Sequence, residues 1–127
     1  MKRDMDLVRQ ILLACEACDP EEELLPVPTI LDCTRTQVCY HIHLMGQAGL
    51  LIVVDQTHMS SPCPQAALLS VTWAGHDFID NTKSSAVWTA TKEAAKKAGG
   101  VGFDLLIQIA KYEAKQQLKK IGVDLAA

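Results

Sequence analysis

Three observations in the sequence predict a helix-rich α+β fold. Apolar residues recur at helical spacing in five separate stretches. Two short apolar runs, Leu50 to Val54 and Ala67 to Val71, flank the polar, proline-containing stretch Gln56 to Gln65, which reads as a hairpin and its loop. Hydrophobic residues make up 49% of the 127 positions, enough for a packed core.

The first periodic stretch, Asp4 to Cys18, sets Met5, Val8, Leu12 and Cys15 on one stripe and Leu7, Ile11, Ala14 and Cys18 on the next. Asp19-Pro20 ends it, because proline cannot continue the hydrogen-bond ladder. Glu21 to Pro28 reads as a connector, after which Thr29-Ile30-Leu31 is expected to form a short strand. The second helix is expected from the N-cap Thr34 to Ala48, where Gly49 supplies a left-handed C-terminal residue. Val38, Ile42, Met45 and Ala48 then face inward. Thr72 caps a third helix, Trp73 to Thr82, with Trp73, Phe78 and Ile79 as apolar members. The fourth, Ser85 to Ala98, stops at Gly99-Gly100 with Lys96 and Lys97 in its last turn, the favourable sign for the helix dipole. The last, Phe103 to Ile121, carries Phe103, Ile107, Ala110, Ala114, Leu118 and Ile121 on one stripe, and Leu105, Leu106 and Ile109 widen it. A terminal helix this apolar needs a partner surface, and a second copy of the chain is one candidate. Trp73 and Trp88 are expected to anchor the core.

Helix, helix and two-stranded hairpin is the order of a winged helix, a variant of the helix-turn-helix. Residues 1–82 are assigned to a winged-helix core and residues 83–127 to additional C-terminal helices packed on it within one compact domain. Charge follows the same division. Residues 1–82 hold four basic and eleven acidic side chains, net −7, and residues 83–127 hold eight lysines against four acids, net +4.

The whole chain carries a formal charge of −3, which argues against affinity resting on a broad basic surface. No run approaches the roughly 18 apolar residues of a membrane span, and the charged opening leads into amphipathic sequence, so a cytoplasmic protein without a membrane partner is expected. Five cysteines in such a chain are read as reduced thiols.

Two segments sharpen the fold assignment. His41-Ile42-His43-Leu44-Met45-Gly46-Gln47-Ala48-Gly49-Leu50-Leu51 resembles the recognition-helix end of winged-helix regulators, where a leucine-rich helix passes through glycine into the first wing strand. Leu69-Ser70-Val71-Thr72-Trp73-Ala74-Gly75-His76-Asp77-Phe78-Ile79-Asp80 is similar to a second wing strand entering the next helix. With the opening Met1-Lys2-Arg3-Asp4-Met5-Asp6-Leu7 and Val87-Trp88 to Thr91-Lys92, they resemble a bacterial and phage family, domain of unknown function family 2513. The resemblance implies an origin in phages, prophages or other mobile elements, and it carries no assigned catalytic residues. Gly46 departs from the family pattern, which has a charged residue there, and weakens the helix by about 1 kcal/mol relative to alanine.

DNA binding in transcription regulation is the first functional expectation for a winged helix. The exposed face of the second helix would present Arg35, Thr36, Tyr40, His43 and Gln47, of which Arg35 and Gln47 suit base edges. Lys96 and Lys97 would add phosphate contacts if the later helices lie on the DNA side. The alternative reading of these lysines is a solvated helix face. That face and the wing loop together carry one permanent positive charge, so an interaction module contacting a host or phage protein stands as the alternative. A homodimer through the C-terminal helix is expected in either case.

The remaining chemistry is weaker. Cys15 and Cys18 form a C-x-x-C pair, Cys39 and His43 share a helix face, and Cys33, His41 and Cys63 would complete a zinc set. The spacing is not that of a zinc finger or ribbon, so free thiols and no metal or cofactor are expected. Redox chemistry is disfavoured because the C-x-x-C pair lies in a last helical turn beside Glu16 and Asp19, where every local field opposes thiolate. His41, His43, His58 and His76 accompany no nucleophile elbow, P-loop or dinucleotide fingerprint. His76 with Asp77 and Asp80 is the best acidic cluster, and a polar helix face explains it. The chain is read as a non-enzyme.

Overall fold

The computed structural model describes residues 2–18, 24–55 and 66–123. These form a helix-rich α+β fold of five helices and one two-stranded antiparallel sheet: α1 (Met5–Glu16), α2 (Arg35–Gln47), β1 (Leu51–Asp55), β2 (Ala66–Val71), α3 (Trp73–Thr82), α4 (Ser85–Lys97) and α5 (Phe103–Lys120). The chain divides into two compact units, Met1–Asp77 and Phe78–Ala127, with the division inside α3. The expected wing loop, with His58 and Cys63, and the Asp19 to Glu23 stretch lie outside the described residues.

In the first unit, Asp4 has extended backbone and its carboxylate accepts the Asp6 and Leu7 N–H groups, which would otherwise lack partners in the first turn of α1. Leu7, Val8, Ile11, Leu12 and Cys15 are buried along one side of that helix. A reciprocal capping box starts α2: the Thr34 hydroxyl accepts the Gln37 N–H at 3.1 Å and the Gln37 side chain accepts the Thr34 N–H at 2.7 Å. Its buried residues, Val38, His41, Ile42 and Met45, follow the helical repeat. Gly49, at φ 78°, turns the chain so that the Leu50 N–H reaches back to the Met45 carbonyl, and β1 begins at once.

The strands pair from Leu51 with Val71 to Asp55 with Ala66, with a register shift between Ile52 and Val53. Helix α1 packs on α2, and both rest on the sheet. The strand expected at Thr29-Ile30-Leu31 does not form. The chain instead pairs earlier, through a bridge in which the Leu25 N–H donates to the Leu68 carbonyl at 2.8 Å. Leu31 and Asp32 make an exposed turn, with Asp32 at φ 63°, a conformation that aspartate tolerates better than branched residues do.

The Thr72 hydroxyl joins the sheet to α3, donating to the Gly49 carbonyl and accepting the Gly75 N–H at 3.0 Å. A side chain at position 75 would collide with the Leu50 carbonyl oxygen and Val71, so this turn sits against backbone as only glycine allows. Trp73 is 85% exposed, which corrects its expected role as a core anchor. Residues two apart on a helix differ by about 200° in direction, so an inward Gly75 forces Trp73 outward.

The second unit is built on rings. Phe78 stacks on Phe103 with centroids 5.5 Å apart and meets Trp88 edge-on at 6.0 Å. Trp88, 4% exposed, is the core tryptophan that the sequence promised. Ser84 caps α4, and the buried Thr82 and Thr91 hydroxyls donate to the Phe78 and Val87 carbonyls, each at 2.7 Å. Leu106 and Ala110 bury one side of α5, which packs on α4, while Leu105 and Tyr112 are exposed.

Candidate macromolecule-binding face

One side of α2 has no place in the core. At about 100° per residue, Thr36, Tyr40, His43 and Gln47 form a stripe opposite the buried Val38, Ile42 and Met45. Thr36 and Gln47 are exposed, and Tyr40 and His43 are half-buried. The Gln47 amide approaches His43 Nε2 at 3.3 Å, so these two side chains share one polar surface. Arg35 is exposed in the first turn. Lys96 and Lys97 are exposed in the last turn of α4, in the other unit. The five α2 residues singled out from the sequence thus lie on one helix, and the two lysines lie on α4 in the other unit.

The residue that holds this helix in place is one that the sequence offers only as a candidate zinc ligand or catalytic histidine. His41 is buried, and both ring nitrogens are engaged: Nδ1 lies 2.8 Å from the Gln37 carbonyl, and Nε2 lies 2.8 Å from the Asp4 backbone nitrogen. A carbonyl only accepts and a backbone N–H only donates, so the ring is the neutral Nδ1–H tautomer. Tyr40 meets the same ring edge-on at 6.0 Å. His41 is therefore a structural clamp and not a metal ligand. The signal was present in its register, since 38, 41, 42 and 45 form a single buried stripe.

A second polar feature lies at the other end of α1. His76 Nδ1 pairs with Glu16 of α1 at 3.5 Å. The pair borders a cleft of about 190 Å³ that Cys15 and Cys18 also line. Burial pushes the Cys15 thiol from its ordinary 9.0 up to about 11, and neighbouring Cys18 adds to the rise. The thiolate is opposed, as the sequence suggested, but desolvation does most of it. Among the described residues, no group of three or more His, Cys, Asp or Glu side chains is placed to hold a metal ion, and no helix is long and apolar enough to cross a membrane.

Residues 2–102 match the family model described as "Hypothetical protein (DUF2513)". The chain belongs to the DUF2513 family. An uncharacterized protein of Haemophilus influenzae is similar to it, 31% identical over 119 residues that cover 93% of this chain and 99% of that protein. No solved structure matches. The DUF2513 match takes in α1 through α4 and ends just before α5, so both the α2 face and the His41 clamp lie within the family segment.

Proposed function

We propose that this DUF2513 protein is a winged-helix regulator of transcription, encoded by a mobile element, that binds duplex DNA with α2 in the major groove. One observation carries the reading: the Thr36, Tyr40, His43 and Gln47 stripe faces away from the core on a helix that runs through Gly49 directly into an antiparallel hairpin. A helix of about 10–12 Å diameter fits the major groove, and Gln47 matches the donor and acceptor edge of adenine. The role is binding without catalysis.

The test is binding to duplex DNA at two salt concentrations. Gln47→Ala is expected to lower affinity for a selected site by about 1–3 kcal/mol, and removal of the Arg35 charge or of the Lys96 and Lys97 charges to weaken binding regardless of sequence. Absence of binding at low salt would remove the proposal.

A second reading, contact with a host or phage protein, is favoured by a specific surface. Ile52 and Val54 on β1 and Trp73 on α3 are large, apolar and exposed, and Arg35 is the one permanent cation on α2. Retention of a partner protein by a chain that ignores DNA would favour it. Self-association through α5, where Leu105 and Tyr112 are exposed, belongs to either reading and is checked by light scattering.

A further inference from the structure

We infer that Lys2 and Arg3 form a pinned basic arm that contacts DNA phosphate on one side of α2 while Arg35 does so on the other; this rests on the DNA reading above. The Asp4 N–H donates to His41 Nε2 at 2.8 Å, and the Asp4 carboxylate is occupied with the first turn of α1. Asp4 is thus fixed at two points, and Lys2 and Arg3, both exposed, project from it within one or two residues, about 4–8 Å of chain.

Direction around α2 gives the arrangement its meaning. Seen from buried Val38, Arg35 lies about 60° to one side and His41 about 60° to the other, with the Thr36, Tyr40, His43 and Gln47 stripe behind. The arm enters at His41. Two cations on that flank and Arg35 on the opposite flank bracket a polar stripe that holds no Lys or Arg, and a duplex groove presents the matching pattern of base edges between two phosphate backbones. The bracketing explains how a unit with few basic residues can still meet DNA. Its cations lie beside the reading surface and not upon it.

The experiment is fluorescence anisotropy with a short labelled duplex over a salt series, comparing the full-length wild type, the Lys2→Gln/Arg3→Gln variant and a control, Lys119→Gln/Lys120→Gln, that removes the same charge from α5. The arm variant is expected to lower the slope of log affinity against log salt by about 2, with the control unchanged. If the wild type binds and the arm variant keeps its slope, or if the control loses as much as the arm variant, the arm is overturned while the DNA reading stands. If the wild type does not bind at low salt, both fall.

Discussion

Each of the two units has its own apolar core, and the contacts added to that core differ. In Met1–Asp77, an apolar core that includes Ile11, Ile42, Met45 and Leu68 is joined by polar, directional contacts between distant segments: the Asp4 backbone on His41, Thr72 on Gly49, and Glu16 with His76. In Phe78–Ala127, the buried Thr82 and Thr91 hydroxyls bond locally, each to the carbonyl four residues back, while Phe78, Trp88 and Phe103 bring distant segments together as packed rings. A hydrogen bond fixes orientation but contributes little net energy, whereas a buried ring contributes much and fixes orientation loosely. The first unit is accordingly the one built to hold a surface in a set direction, and it carries the polar α2 stripe.

Substitutions should separate the two kinds of support. Phe78→Ala removes the ring shared by Trp88 and Phe103 and should cost about 3–5 kcal/mol by urea denaturation, the largest effect expected. His41→Leu keeps apolar bulk but strands the Asp4 N–H, for an expected loss of about 1–3 kcal/mol. In amide exchange the first residues of α1 should then open before the rest of the helix. Thr72→Val removes the hydroxyl that caps α3 and holds Gly49, and should cost about 1 kcal/mol.

Cys15 gives a prediction whose sign follows from its burial. The folded state keeps the thiol proton from the ordinary 9.0 up to about 11, whereas the unfolded chain releases it earlier. Its contribution to stability is therefore complete below pH 9 and is lost as pH rises toward about 11. At pH 8, iodoacetamide should modify the half-buried Cys18 and Cys33 well before Cys15, as read by peptide mass spectrometry. The smallest effect belongs to Trp73→Ala, expected to change stability by less than about 0.5 kcal/mol because that ring is exposed.

Local signals made most of this architecture legible in the sequence. Thr34 and Gly49 marked the ends of α2, Lys96 and Gly99 the end of α4, and the β-branched run after Gly49 the first strand. The failures share one cause, dependence on a distant partner. Nothing near His41 in the chain reveals that the backbone 37 residues earlier docks on its ring. The hydrophobicity of Trp73 does not disclose that Gly75 turns the other side of α3 toward the Leu50 carbonyl. Likewise, the bridge to Leu68 falls at Leu25 and not at the more strand-like Thr29-Ile30-Leu31, because pairing depends on which residue the fold brings alongside.

The most direct test of the central claim is an NMR titration of the isotope-labelled protein with duplex DNA at low salt. The account predicts that side-chain and amide signals of Arg35, Thr36, Tyr40, His43 and Gln47 shift together, while those of buried Val38, Ile42 and Met45 move little. Unchanged α2 signals, or shifts confined to α5, would contradict it.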